Sequence, residues 1–347
     1  MLTFKRLAVV IINYRRPGLV IDCLKSIAGE LDPERDVVVV VENGSDDGSA
    51  AKLERDIVER GWEDWVLLVL SGKNGGFSAG NNLGIQSVDA EAYLLLNSDT
   101  IMRPGAIATL LDTLERYPDV GIVSPRLEWP DETPQTSVFR YPTPASELIH
   151  SACTGPVTTA LKRYEVARPI SDVPIDFEWT SFACVLVRRA VFYDIGFLDT
   201  DYFMYYEDVD YCRRAREAGW RTLHWPEARV VHLRGGTSPV KALTASRKRR
   251  PYYYYAARSR YFAKHYGRKG LCFANVLWTV GRGISLFREW VQRKEAPVCA
   301  AEWRDIWTNF LEPLKAYSIE NGVNEVEVKR LEGNRAILSE RVDKSKV

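Results

Sequence analysis

The sequence predicts an α/β protein built on a doubly wound, mostly parallel sheet, and three observations carry that prediction. Short apolar runs suited to buried strands alternate with helical patterns through the first hundred residues. The loops that follow these runs are rich in Asn, Gly, Ser and Asp, which turn a chain and cap the next helix. The 347 residues, 46% apolar and 27% charged, suffice for one large core and a smaller appended unit.

Taken in order, Val9-Val10-Ile11-Ile12 forms the first strand, and residues 17–27 form a helix. In that helix Leu19, Val20, Cys23, Leu24 and Ile27 recur at helical spacing, with Pro17 in the first turn. Residues 37–41 are an unbroken valine strand, followed by a helix over 48–59. Residues 66–70 and 93–96 form the third and fourth strands, with a helix near 80–86 between them. Residues 128–174, rich in Pro, Thr and Ser and poor in periodicity, are expected to be loops with short elements that shape a pocket. Strand character returns at 182–187, and 208–218 read as a helix stopped by Gly219.

Composition removes several classes. A formal charge of +1 argues against a nucleic-acid binder with a basic surface throughout. The six cysteines carry no Cys-x-x-Cys spacing and read as reduced thiols of a cytosolic protein. The amino-terminal apolar run is short and no small-residue cleavage site follows it, which argues against a signal peptide.

The carboxyl third is different in kind. Between Lys241 and Gly270 stand ten Lys or Arg residues and no acid, interleaved with Tyr252 to Tyr255, Tyr261, Phe262 and Tyr266. We therefore expect a boundary near 235–245, giving a catalytic unit over 1–240 and a helical region over 241–347. The apolar stretch from Leu271 is interrupted by Gly281-Arg282-Gly283 and reads as too short to span a bilayer. It suits an anionic membrane surface, a second protomer, or a helical subdomain with a solvated basic face. Past residue 320 charge density rises, and ordered structure is not expected.

The loops after the strands carry the chemistry. Asn13-Tyr14-Arg15-Arg16-Pro17 brings an aromatic ring and two guanidinium groups to a helix amino terminus, which suits a nucleotide base and its phosphates or simple capping. Glu42-Asn43-Gly44-Ser45-Asp46-Asp47-Gly48-Ser49 offers carboxylates to base and ribose, or a glycine-rich turn with a helix cap. Lys73-Asn74-Gly75-Gly76-Phe77-Ser78-Ala79-Gly80-Asn81-Asn82 offers small residues that let a ligand approach the backbone closely. The fourth apolar run ends abruptly in Asn97-Ser98-Asp99, a carboxylate at the carboxyl end of a buried strand, where open α/β sheets bind ligands. A second acidic cluster, Glu207-Asp208-Val209-Asp210, opens a later helix. An acidic first turn also complements a helix dipole.

These ordered segments, closing with Glu207-Asp208-Val209-Asp210-Tyr211-Cys212-Arg213-Arg214, resemble the signatures of family-2 inverting glycosyltransferases of the GT-A fold. They are most similar to the bacterial rhamnosyltransferase-like branch, over roughly residues 5–266. The resemblance implies donor-nucleotide contacts at Asn13, Arg15, Glu42 and Asp47. Asp99 takes the metal-binding position of an Asp-x-Asp-like motif, and Asp208 the position of the general base. His232 falls at a further metal-ligand position, before the loop Arg234-Gly235-Gly236-Thr237-Ser238, which can close over a diphosphate. Asn74, Asn82, Asn97, Ser98 and Arg234 are added as donor contacts, and Glu207 as an acceptor contact.

One departure stands out: Asn97 occupies the first position of the Asp-x-Asp motif. Its carbonyl can coordinate but adds no charge, so a divalent cation, Mg²⁺ or Mn²⁺, would rest on Asp99, the diphosphate, water and His232. The expected function is an inverting transfer of a sugar, foremost L-rhamnose from dTDP-rhamnose, to a hydroxyl of a cell-envelope glycan or polyprenyl-diphosphate-linked saccharide. The expected place is the cytoplasm, at the inner face of the membrane. UDP-galactofuranose, UDP-glucose and UDP-N-acetylglucosamine are alternative donors. A sugar-1-phosphate nucleotidyltransferase is disfavoured because the loop after the first strand has no glycine before Gly18. A catalytically inactive sugar- or lipid-binding protein is the remaining class.

Overall fold

The computed structural model describes residues 4–233, 239–292 and 296–317, together with the backbone of 326–332 and 335–341. Strands β1 (Lys5–Asn13), β2 (Asp36–Asn43), β3 (Val66–Ser71) and β4 (Ala90–Asn97) alternate with helices α1 (Pro17–Ile27), α2 (Ser49–Glu59) and α3 (Gly76–Gln86). They lie in the order β3-β2-β1-β4, all parallel. Every residue of β2 is buried, as expected where helices cover both sheet faces and the strand reads as a continuous apolar run. Alternate residues feed two cores. Leu7, Val9 and Ile11 pack with α1 and α2 on one face, while Ala8, Val10 and Val41 pack with Ile85 of α3 on the other.

Beyond β4 the sheet becomes mixed. The chain continues through β5 (Thr100–Met102), α4 (Ala106–Arg116), β6 (Val120–Glu128), β7 (Val138–Phe139), α5 (Pro144–Ala152), α6 (Gly155–Ala160), β8 (Ile175–Asp176), β9 (Trp179–Thr180) and β10 (Cys184–Arg188). It then forms α7 (Arg189–Ile195), α8 (Glu207–Glu217) and β11 (Arg221–His232). Strand β10 lies antiparallel to both β4 and β6, β11 runs parallel to β6, and β5 closes antiparallel against β11. Neither β6 nor β11 follows from the apolar pattern. β11 mixes polar and apolar residues, contains Pro226, and shifts register between Trp225 and Arg229. The helix expected near residue 80 begins earlier, at Gly76.

The carboxyl region adds α9 (Val240–Ala245), α10 (Tyr252–Gln292), α11 (Glu302–Asp305), β12 (Val326–Glu332) and β13 (Arg335–Arg341). Three expectations are corrected here. First, α10 runs through Gly281-Arg282-Gly283 and is long and apolar enough to cross a membrane. Gly281 is a packing requirement, because a Cβ there would lie 2.2 Å from Ser151 Oγ of α5. The kink falls instead at Gly267, with φ of 69°. Second, part of the basic run is engaged in ion pairs, and Arg250 and Arg258 are buried. Arg249 pairs with Asp305, Arg250 with Glu302, Arg258 with Glu147, and Arg260 and Lys264 with Asp199. Third, β12 extends the sheet by pairing antiparallel with β3, and β13 pairs with β12. The cysteines are free, with Cys23, Cys184, Cys212 and Cys299 buried and Cys153 exposed.

Candidate active site

The site grows from one tight turn and one strand pairing. Asn97-Ser98-Asp99-Thr100 reverses the chain between β4 and β5, and Thr100 Oγ1 donates to the Asn97 carbonyl at 2.6 Å. In the β5/β11 register His232 pairs with Thr100. That pairing brings His232 Nε2 to 3.5 Å from Asp99 Oδ1, with both side chains buried. The backbone amide of Leu233 donates to the Asp99 carbonyl at 2.9 Å and fixes the join.

The second acidic cluster arrives through backbone strain. Tyr205 and Tyr206 both adopt left-handed backbone, with φ of 74° and 65°, a conformation of order 1–3 kcal/mol above the ordinary wells for such residues. Rings from α10 brace them: Tyr254 lies 5.5 Å from Tyr205, and Tyr261 5.4 Å from Tyr206, centroid to centroid. Helix α8 starts directly after this kink, so Glu207 and Asp208 enter the cavity beneath β4 and β10. Asn97, Asp99, Glu207, Asp208 and His232, with Ser181, Phe182 and Lys241, line one cavity of about 170 Å³. Asn97 also lines a neighbouring space of about 60 Å³ with Tyr14, Asn43, Asn74 and Ser98. On its other side Asp208 borders a cavity of about 280 Å³ formed with Ser146, Glu147 and His150 of α5 and with Tyr206 and Tyr254.

Electrostatics separate the three acids of α8. Burial pushes the Asp208 carboxyl up to about 7, outweighing the amides of Val209 and Phe182 that favour its anion. Glu207 is pushed well above the carboxylate range, first by burial and then by the charge of Asp208. Asp210 goes the other way. Burial opposes its charge, but a 2.8 Å bond with His265 and the nearby Arg214 and Lys264 hold it well below the usual range.

The loops after β1 and β2 form a network rather than a row of free ligands. Asn13, fully buried, donates to Glu42 and Ser45 and accepts from the Arg16 amide. Glu42 accepts from the amides of Gly44 and Ser45, and Arg15 donates to the Ser45 carbonyl. Asn13 and Glu42, both expected as donor-nucleotide contacts, hold the two loops together through these bonds. Arg15 and Asp47 remain exposed, and Asp47 Oδ1 accepts from the Ser49 amide. Asn82 sits apart from these loops. Its amide exchanges two bonds with the Leu198 backbone, at 2.8 and 3.0 Å, and it lines neither cavity beside Asn97. Arg234 lies outside the described residues.

Among the described residues no cluster of three or more His, Cys, Asp or Glu side chains is arranged to hold a metal. The donor set of Asp99, His232 and the side-chain oxygen of Asn97 nevertheless fits a cation that takes further ligands from a diphosphate and water. The close approach is through His232 Nε2, 3.5 Å from Asp99 Oδ1.

Comparison with known proteins decides the family. Residues 5–254 match the family described as glycosyltransferase like family 2. The chain belongs to that family. This glycosyltransferase is 33% identical over 238 residues to the N-acetylglucosaminyl-diphospho-decaprenol L-rhamnosyltransferase of Mycobacterium tuberculosis, spanning 63% of the chain and 74% of that relative. It is 29% identical over 216 residues to the low-salt glycan biosynthesis hexosyltransferase Agl10 of Haloferax volcanii, covering 60% and 61% of the two chains. Among solved structures it resembles the mannosyltransferase PcManGT from Pyrobaculum calidifontis in complex with GDP-Man and Mn²⁺, with a TM-score of 0.52 at 14% identity over 90% and 86% of the chains. It also resembles GalNAc-T7 with UDP, GalNAc and Mn²⁺, with a TM-score of 0.55 at 13% identity; the match covers 83% of the chain and 56% of the length of that protein. These likenesses establish the GT-A fold.

Several residues of the glycosyltransferase site escaped the sequence reading. Lys241, visible only as one of many basic residues, lines the cavity with Asp99 and His232. Asn43 bridges two loops, its Nδ2 donating to Asn74 Oδ1 at 3.1 Å and to the Gly76 carbonyl. Tyr205 and Tyr206 precede the acidic cluster as a run of aromatics, and nothing local marks their strained backbone. A larger cavity, about 900 Å³, lies among Tyr252, Arg260 and residues 307–317, and none of Asp99, Glu207 and Asp208 lines it.

Proposed function

We propose that this enzyme transfers L-rhamnose from dTDP-L-rhamnose, with inversion, to a sugar hydroxyl of a polyprenyl-diphosphate-linked saccharide at the cytoplasmic face of a membrane. The observation that carries the reading is the single cavity lined by Asn97, Asp99, Glu207, Asp208 and His232 at the carboxyl edge of the parallel strands, where such sheets take their ligands. The rhamnosyltransferase relative supports the sugar, and its name supports a diphosphate-linked lipid acceptor.

In this scheme the donor nucleotide lies along the loops after β1, β2 and β3, near Tyr14, Arg15, Asp47 and Asn74. Asp99, His232 and the side-chain oxygen of Asn97 would hold a Mg²⁺ or Mn²⁺ ion, which when bound stabilises negative charge on the departing diphosphate. Lys241 adds a fixed positive charge on the same wall. The acceptor occupies the cavity beyond Asp208, beside α5. As its oxygen forms a bond to the anomeric carbon, Asp208 takes the hydroxyl proton, and the bond to the nucleoside diphosphate breaks with its electron pair on the leaving oxygen. Glu207 orients the acceptor. A base near pKa 7 is matched to this task at neutral pH.

The test is a thermal-shift panel of dTDP, UDP, GDP and ADP with and without Mn²⁺. A ligand at about 100 times its dissociation constant stabilises by ~2.7 kcal/mol. A Mn²⁺-dependent shift with dTDP above the others is expected. A preference for UDP would replace rhamnose by another donor, and a folded protein insensitive to every nucleotide would remove the transferase reading.

A further inference from the structure

Helix α10 is largely apolar on its packed side and carries a second apolar stripe that nothing among the described residues covers. Phe273, Val276, Val280, Ile284, Phe287 and Val291 follow one another at intervals of three or four residues, which places them on one helix face, and all six are exposed. Phe287 is 67% and neighbouring Trp290 79% exposed. The opposite face, turned to α5, is packed with a mixture of residues: Leu271, Ala274, Asn275, Trp278 and Ser285 are all buried. Arg282 and Glu289 pair with each other on that side, and Ser285 joins them. The outward face of a helix in a water-soluble protein normally carries polar and charged residues instead.

We propose that this face of α10 docks the enzyme on a lipid surface by insertion of apolar side chains, with the helix lying in the membrane plane. The stripe from Phe273 to Val291 is about 27 Å long at 1.5 Å per residue. Although α10 is long and apolar enough to cross a bilayer, a third of its most apolar stretch is buried inside the protein. Trp278 is fully packed, and Ser151 of α5 donates to the Trp278 carbonyl at 2.7 Å. One side of the helix is thus committed to protein, which fits in-plane docking and excludes free insertion.

The flanks of the stripe favour lipid over a second copy of the chain. A helix that pairs with another normally borders its apolar seam with charges of both signs. Here the borders hold Leu277, Thr279, Gly283, Leu286 and Trp290, with Arg288 the one charged residue among them. Exposed Lys269 stands near the start of the stripe and Trp290 near its end, residue types that settle at headgroup level. The docking also serves the proposed reaction, on which this inference rests for its purpose. The same α5 that packs on α10 lines the cavity beside Asp208 with Ser146, Glu147 and His150, so a lipid-anchored acceptor would meet the site next to its own membrane.

The mode differs from electrostatic docking, which would act through exposed Arg247, Lys248 and Arg249 of the basic run and would need anionic lipid. The test is sedimentation of the full chain with phosphatidylcholine vesicles, with and without added phosphatidylserine, at low and high salt. Binding to neutral vesicles that survives high salt is expected, with Val280→Asp and Phe287→Asp each weakening it about tenfold or more. Both positions are solvent-exposed, so folding is retained; Trp290→Phe gives an independent readout by removing a component quenched by brominated lipid. Binding that needs anionic lipid and ignores both substitutions would overturn the proposal, as would absence of binding. A lipid-free dimer dissolved by Phe287→Asp would assign the face to a second copy instead. Turnover separates this inference from the enzymatic one: Phe287→Asp should lose activity on a long-chain acceptor in vesicles and keep it on a short-chain soluble acceptor. A wild type that binds vesicles but transfers to neither acceptor would sink the function while leaving the docking intact.

Discussion

Asp208 and Asp210 stand two positions apart on one helix and titrate in opposite directions, because their surroundings differ more than their sequence does. Asp208 has burial without a cationic partner and rises to about 7, while Asp210 has His265, Arg214 and Lys264 and stays ionised. The first is suited to take a proton and the second to anchor α10. Asp208→Asn should lower kcat by about 10²–10⁴-fold while the nucleotide-induced thermal shift persists, measured on the same preparation. For the wild type, activity should climb as pH rises through about 7, since the base works deprotonated. A profile flat between pH 6 and 8 would remove Asp208 from that role. Stability runs the opposite way. A carboxyl whose folded pKa is raised contributes stability below its unfolded value and loses it as pH rises through the folded one. Asp208→Asn should therefore melt higher than wild type at pH 8, and the gap should close toward pH 4.

At the scale of elements, glycines and strained turns decide where the loops meet. Gly76 has φ of +84°, and a Cβ there would lie 2.1 Å from the Phe203 carbonyl oxygen, the same oxygen that accepts from the Phe77 amide at 2.7 Å. The start of α3 is thus clamped to the segment leading into α8. Gly48 has a similar φ of +85° but nothing within 4 Å of an added Cβ. Gly48→Ala should cost only the backbone term, about 1 kcal/mol. Gly76→Ala should cost clearly more, about 2–4 kcal/mol, and weaken donor binding as Asn74 and Phe77 move. Urea unfolding and a nucleotide titration compare the two; equal costs would show that the contact with Phe203 does not matter.

Across the whole molecule, buried ion pairs hold the carboxyl region together and tie it to α5. Arg258 meets Glu147 of α5 at 2.7 Å and Arg250 meets Glu302 at 2.8 Å, all four groups buried. Burial alone would raise Glu302, but the bond from His150 and the charges of His150 and Arg250 outweigh it and hold the carboxyl to about 2. A depressed carboxyl contributes stability above its unfolded pKa and loses it as pH falls through the folded value. Acid should therefore loosen this contact between pH 4.5 and about 2. Glu302→Gln should cost about 3 kcal/mol at pH 7 by leaving Arg250 buried without its partner and should flatten that acid limb, read from urea melts across pH.

The sequence by itself determined the parallel half of the sheet and the turn carrying Asp99, since apolar runs buried on both faces and Asn-Gly-Ser-Asp loops are local signals that need no distant partner. It also marked the acidic opening of α8, because carboxylates in a first helical turn are visible in a single stretch. Tertiary structure alone decided the rest. The approach of His232 to Asp99 depends on β5 pairing with β11, strands separated by more than a hundred residues and joined by register, not by pattern. The ion pairs of the basic run depend on acids contributed by α5, by α11 and by the segment before α8, so composition showed the positive charge but not that folding buries Arg250 and Arg258 against acidic partners. Asn82, read as a ligand contact, is claimed by the Leu198 backbone. Which side of α10 meets water was decided last of all, because a helix continuous in sequence takes its inner face from what packs against it.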